Sequence, residues 1–335
     1  MSDTRIIGEE KVIEVKGLKK HFPLKKGFLS TVLTREEITV KAVDGVSFGL
    51  RKGEILGLAG ESGSGKTTIG RLLVRLIEPT EGSIFFEGKD ITTLTPSEMK
   101  PLRREIQFIF QDPFESLDPR MTIKEIVAEP LRALKVAKGE EEVEQRVAGI
   151  LNEVELVPPE EFMLRYPHEL SGGQRQRVAV ARAFVLGPKL VVADEPVSML
   201  DVSIRAEILN LMINLVEKRG ASVVLITHDL ALSKHVCDRV IVMYLGKIME
   251  TAESTKLIDY PLHPYTMALI AAVPVPDPRY KRKDVISGEI PSPIDPPSGC
   301  RFHTRCPYVH DRCINEEPPL VEVEPGQYVA CHLYT

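Results

Sequence analysis

Nine residues limit what this chain can fold into more than any other feature: Gly60-Glu-Ser-Gly-Ser-Gly-Lys66-Thr67-Thr68. They fit the pattern G-x-x-x-x-G-K-[ST]. The apolar run Ile55–Ala59 before them reads as a buried parallel strand, and Thr67–Leu76 after them has helical periodicity. A glycine-rich turn in that setting lets successive N–H groups point at one oxyanion beside the positive end of a helix dipole. Lys66 is placed to reach β- and γ-phosphates, and the Thr67 hydroxyl to ligate Mg²⁺. The plainer alternative, a Gly/Ser-rich turn that only caps a helix, does not account for the strand before it.

The rest of the pattern extends this unit. Residues 11–16, Val40–Leu50, Ser83–Phe86, Ile106–Phe110, Leu190–Ala193 and Ser222–Thr227 read as strands. Ile123–Leu134, Glu141–Leu156, Gly172–Leu186 and Ile204–Arg219 read as helices, and 23–39 as a loop insertion. Strands alternating with helices indicate an α/β fold around a parallel sheet. After about Tyr260 the chain turns Pro-rich and loop-like, with eleven of its 25 prolines between Pro274 and Pro325. A length of 335 residues suits a large domain with an appendage.

Charge and hydropathy exclude several classes. The net charge is −5 with acids and bases mixed, so no nucleic-acid-binding face is expected. The basic clusters Lys19–Lys20, Lys25–Lys26 and Arg279–Lys283 read as solvated loops. No run of about 18 apolar residues is present to span a bilayer, and Met1–Glu10 lacks the apolar core of a signal peptide. A cytosolic location is therefore expected, where five cysteines do not pair. Cys237 falls in a helical pattern and reads as core.

Two further segments carry chemistry. Leu190-Val-Val-Ala-Asp194-Glu195-Pro196 is an apolar strand that ends in two acids, at the edge where ligands sit in open α/β sheets. Asp194 suits an Mg²⁺ shell and Glu195 a general base; taken alone, the same letters also read as a helix start. Leu170-Ser171-Gly172-Gly173-Gln174 has capping-box spacing from Ser171 to Gln174. Paired glycines weaken a helix start, so they make sense if a phosphate approaches the bare backbone.

With these residues in order, the chain resembles the ABC ATPase family. Leu170–Gln174 matches the family's signature, Gln111 its glutamine loop, Asp201 its D-loop and His228 its switch histidine. Phe22, beside His21, sits where the family places an adenine-stacking ring. The resemblance implies an α/β phosphate-loop NTPase core with a mainly parallel sheet, an antiparallel β subdomain, a helical insert and a Cys/Pro-rich C-terminal extension. It implies ATP bound by Phe22, Gly60, Ser62, Gly63, Gly65, Lys66, Thr67 and Thr68, with Mg²⁺ on Thr67, Gln111 and Asp194. Glu195 and His228 would be catalytic, while Ser171, Gly173, Gln174 and Asp201 would meet the nucleotide of a second, head-to-tail ATPase subunit.

The tail narrows the family. Cys300, Cys306, Cys313 and Cys331 are separated by five, six and seventeen residues. Four thiolates could staple a loop-rich segment by binding a [4Fe–4S] cluster or Zn²⁺, and a segment without metal is the third possibility. Pro261-Leu-His-Pro-Tyr-Thr266, Pro296-Pro-Ser-Gly-Cys300-Arg-Phe302 and Val329-Ala-Cys-His332 resemble the extension of dipeptide/oligopeptide importer ATPases, and Asp295-Pro-Pro-Ser resembles their F-type subunit. That resemblance implies a [4Fe–4S] segment, two transmembrane permease chains, an external solute-binding protein and a place at the cytoplasmic face of the membrane. The expected division is 11–260 for the nucleotide-binding domain, with its helical part at about 115–185, and 261–335 for the extension. Competing expectations are oligosaccharide or nickel import by the same motor, a soluble ABC ATPase of repair or translation, and a scaffold that does not hydrolyse.

Overall fold

The structure, a computed structural model, describes residues 7–24, 38–112, 116–272 and 288–335. The chain runs through β1 (Lys11–Pro23), β2 (Thr39–Arg51), β3 (Ile55–Ala59), α1 (Lys66–Leu73), β4 (Glu81–Phe86), β5 (Lys89–Asp90), α2 (Pro96–Leu102) and β6 (Ile106–Ile109). A helical block follows: α3 (Ile123–Ala133), α4 (Glu140–Glu153), α5 (Pro159–Met163) and α6 (Gly172–Phe184). Next come β7 (Leu190–Asp194), α7 (Val202–Arg219), β8 (Ser222–Ile226), α8 (Leu230–Val236), β9 (Arg239–Tyr244) and β10 (Lys247–Glu253). The last elements are α9 (Ser254–Asp259), α10 (Pro264–Ala271), α11 (Asp311–Asn315), β11 (Val321–Glu324) and β12 (Gln327–Val329).

Two sheets form. The smaller is antiparallel, in the order β2-β1-β4-β5. The larger has the order β11-β12-β10-β9-β3-β8-β7-β6, and β9, β3, β8, β7 and β6 run parallel. All five residues of β3, of β7 and of β8 are buried, as near-continuous apolar strands of a covered parallel sheet must be. The parallel register aligns their ends: Leu58 and Asp194 both pair with Ile226, and Ile109 pairs with Ala193. The residues that leave those ends are therefore delivered to one edge of the sheet. In the helical block, Thr122 and Glu125 form a capping box that starts α3, whose Ile126, Val127 and Leu131 are buried with Val143, Val147 and Ile150 of α4.

The strand Lys11–Pro23 runs well past the expected 11–16. Lys19 and Lys20 are strand residues, not loop: Leu18 turns into the core while Lys19 pairs with Glu81 at 2.7 Å. The clusters Lys25–Lys26 and Arg279–Lys283, and most of the expected insertion 23–39, lie outside the described residues. The larger correction concerns the tail, which is not simply loop. Helix α10 is mostly apolar, and the hairpin β11–β12 pairs with β10 through Glu250↔Val329 and Thr251↔Tyr328. The extension's strands thus continue the main sheet across the expected 260/261 boundary. Cys237 is core, 5% exposed at the end of α8.

Candidate nucleotide site

The loop between β3 and α1 can close only around glycine. Gly60 has φ 147° and Gly65 φ 102°, and a Cβ built on either would stand 2.3 Å from the Met243 carbonyl or 2.2 Å from that of Ala42. The Lys66 ammonium lies under the loop, 5% exposed, donating to the carbonyls of Gly60 (2.8 Å) and Glu61 (2.9 Å). Burial pulls its pKa down, against the upward pull of the Glu195, Asp194 and Glu61 carboxylates. Two tail residues also hold this loop, Tyr265 of the Pro261–Thr266 run and Arg305, which no motif announced. The Tyr265 hydroxyl accepts from the Glu61 N–H at 2.9 Å, and Arg305 pairs with the Glu61 carboxylate at 2.7 and 3.1 Å.

The acidic end of β7 faces this loop. The Thr67 hydroxyl donates to Asp194 at 3.0 Å, which brings together two of the three expected Mg²⁺ ligands. Burial raises the Asp194 pKa, and the neighbouring Glu195 adds to the rise. Glu195 sits at φ 44°, a left-handed conformation uncommon for a residue with a Cβ, which aims its side chain out of the strand line. Its Oε2 accepts from Gln111 Nε2 at 3.1 Å and meets His228 Nδ1 at 3.2 Å. Residues from the ends of β6, β7 and β8 therefore converge on one carboxylate oxygen.

The remaining expected residues lie apart from that centre. Ser171 caps α6: its hydroxyl accepts from Gln174 N at 3.3 Å, and Gln174 Oε1 accepts from Ser171 N at 3.0 Å. Gly173 has a packing reason of its own, because a Cβ there would come within 2.9 Å of Ile204 Cγ2 on α7. Asp201 occupies the N-cap position of α7 without a side-chain cap bond. Of the two candidate aromatic rings, His21 is turned to Asp44 at 3.1 Å, while Phe22 is 37% exposed under the Lys20 ammonium. The structure thus brings the phosphate loop and the acid pair together through Thr67 and Asp194, with the Ser171–Gln174 helix start on another element.

Comparisons with known proteins show the family. Residues 43–198 match the model described as ABC transporter, and residues 249–313 that of the oligopeptide/dipeptide transporter C-terminal region. A putative peptide import ATP-binding protein of Brucella ovis is 50% identical over 324 residues, covering 96% of this chain and 98% of that one. The chain belongs to the ABC transporter ATPase family. The oligopeptide transport ATP-binding protein AppF of Bacillus subtilis, another member, is 48% identical over 331 residues, 98% of each chain. Among solved structures, the dimeric ATP-binding cassette MJ0796 bound to ADP and Pi in a post-hydrolysis state superposes with TM-score 0.62, at 32% identity over 72% of this chain and 98% of that one. As an ABC cassette this chain is an ATPase.

The four tail cysteines of this cassette lie near one another. Cys300, Cys313 and Cys331 are each 7% exposed, and Cys300 N donates to the Cys313 carbonyl at 2.8 Å. Burial, reinforced by the other three thiols, pushes Cys300 up to about 12, and burial likewise raises Cys306 and Cys331. Among the described residues, no group of three or more His, Cys, Asp or Glu side chains is arranged to hold a metal ion. The expected metal staple is therefore not assembled by the side chains as they stand. No described helix is long and apolar enough to cross a membrane.

Proposed function

We propose that this chain is the ATP-hydrolysing subunit of a peptide importer, working at the cytoplasmic face of the membrane. The observation that carries the reading is the meeting of Gln111, Glu195 and His228 beside the Lys66 loop, in a chain whose near-full-length relatives are named for peptide import. In this reading residues 11–260 form the motor and 261–335 its extension.

Each residue then has a task. Phe22 stacks the base, while Gly60, Ser62, Gly63, Gly65, Lys66 and Thr68 cradle the phosphates. Thr67, Asp194 and Gln111 hold Mg²⁺, which supplies Lewis-acid stabilisation of charge on the phosphoryl oxygens. Glu195 takes the proton of the attacking water, and His228 fixes that carboxylate and the γ-phosphate. Ser171, Gly173, Gln174 and Asp201 serve the nucleotide of a second ATPase subunit, so two chains complete two sites. Two permease chains supply the membrane path, and an external binding protein supplies the solute. Cys300, Cys306, Cys313 and Cys331 hold a [4Fe–4S] cluster, with Zn²⁺ the alternative. The support is chemical: burial and the neighbouring thiols disfavour the thiolate form here, and a bound cation would favour it.

Three measurements test this. Glu195→Gln keeps the shape of the side chain and removes the base, so turnover should fall about 10²- to 10⁴-fold with ATP binding retained; unchanged turnover refutes the role. The chain co-purified with its permeases should show ATPase stimulated by peptide-loaded binding protein, and indifference to peptides overturns the solute assignment. Anaerobic protein should be brown, absorbing near roughly 400 nm; colourless protein with stoichiometric zinc removes the cluster.

A further inference from the structure

The cysteine extension reaches into the phosphate loop itself. Glu61, the second residue of that loop, is held at three groups. Its carbonyl accepts from Lys66 Nζ, its N–H donates to the Tyr265 hydroxyl on α10, and its carboxylate takes two N–H groups of Arg305. Two of these three partners belong to the extension. Arg305 precedes Cys306, its side chain is 5% exposed, and it lies 5.7 Å from the Tyr244 ring and 6.0 Å from that of Phe302. Tyr244, Tyr265 and Phe302 pack on one another and are each at most 1% exposed. The guanidinium is therefore fixed by a rigid aromatic box before it grips the loop, and a bidentate, part-buried ion pair orients its partner. A second grip lies on the base side. Arg301, next to Cys300, pairs with Asp44, which also holds His21 beside Phe22.

Resting on the nucleotide-site reading above, we propose that Arg305 and Tyr265 are positioning residues. Through Glu61 they set the shape of the phosphate loop, so the ATP affinity of this subunit depends on the folded state of its cysteine extension. Opening the extension frees Glu61, and the loop carbonyls that hold Lys66 lose their fixed place. Neither residue touches the reacting atoms. The effect should therefore fall on nucleotide binding and spare the chemical step.

The test uses the full chain and a fluorescent ATP analogue, with steady-state ATPase beside it. Arg305→Ala and Glu61→Ala should each weaken binding and raise KM at least roughly tenfold, as expected for loss of a charged hydrogen-bonded pair, while kcat stays within about threefold. The double variant should be no worse than either single one, and Arg305→Lys should recover part of the loss. Glu61→Ala lies outside the extension, so it keeps the test valid if Arg305→Ala disturbs tail folding. Arg312→Ala, on an exposed side chain of the same extension, should leave KM unchanged. Wild-type affinity in both alanine variants, or losses that simply multiply in the double variant, overturns the clamp. Lys66→Ala separates the two readings: if it too binds ATP normally, the nucleotide site itself is misassigned.

Discussion

Replacing Glu250 by alanine should loosen the end of the main sheet, where the extension joins the motor. Glu250 is fully buried on β10, and its carboxylate accepts three hydrogen bonds. Oε1 takes the Leu262 N–H and the Gln327 side-chain amide, both at 2.9 Å, and Oε2 takes the His263 N–H at 2.9 Å. These donors belong to the turn before α10 and to β12, so one side chain satisfies the junction between motor and extension. Each donor left without an acceptor costs ~1–3 kcal/mol. Even at the low end the sum is about 3 kcal/mol, on the order of a hundredfold in a local opening equilibrium. Hydrogen exchange of the β11–β12 amides reads that equilibrium directly. Their exchange should speed up by that order, while amides of β3 and β7 keep their protection. Glu250→Gln retains an acceptor oxygen but turns an NH2 group toward one donor, so its exchange should be intermediate. If the hairpin amides of Glu250→Ala exchange at the wild-type rate, the carboxylate does not hold the junction.

Other expectations can be checked as simply. His263 is buried, and burial drives its pKa down to about 3; folding therefore favours the neutral ring, and stability present above the unfolded value of 6.5 is lost as pH falls from there toward about 3. Melting from pH 7 to 4.5 should show this acid loss at ~1.4 kcal/mol per pH unit, and His263→Gln should flatten it. Gly173→Ala pushes a methyl against Ile204 and should cost ~1–3 kcal/mol by overpacking; Ile204→Ala in the same chain should restore part of the melting temperature, and no restoration refutes the packing reason. Thr67→Val removes the hydroxyl that bonds Asp194 and should abolish Mg²⁺-dependent hydrolysis while nucleotide binding without Mg²⁺ persists; equal loss of both would place Thr67 in the phosphate cradle alone.

The parts of this fold that could be read from letters are those whose chemistry is local. The strand–loop–helix around Lys66, the acid pair after Leu190–Ala193 and the Ser171–Gln174 cap each need only neighbouring residues to make sense. The convergence of the first two followed from the parallel register, which the alternation of strands and helices already implied. Strands β9 and β10 and the tail hairpin escaped, because the pairings that fix them in the sheet, β9 with β3 and β12 with β10, join segments far apart in sequence. The Arg305–Glu61 and Glu250–Gln327 contacts escaped for the same reason, with 244 and 77 residues between partners and no spacing rule to mark them. Gly173 shows the reverse: the glycine was noticed, but its close neighbour Ile204 on another helix was not visible.

The pairing of β12 with β10 has a consequence for how much of the chain can stand alone. Strand β10 carries Ile248, Met249 and Ala252 in the core, and β12 occupies its outer hydrogen-bonding side. A chain ended at residue 260 would keep those apolar residues and bare the main-chain groups beside them, an open template for another molecule's strand. The tail, whatever its cysteines bind, is thus also the selvedge of this sheet: the woven border that keeps a cut cloth from catching on its neighbours.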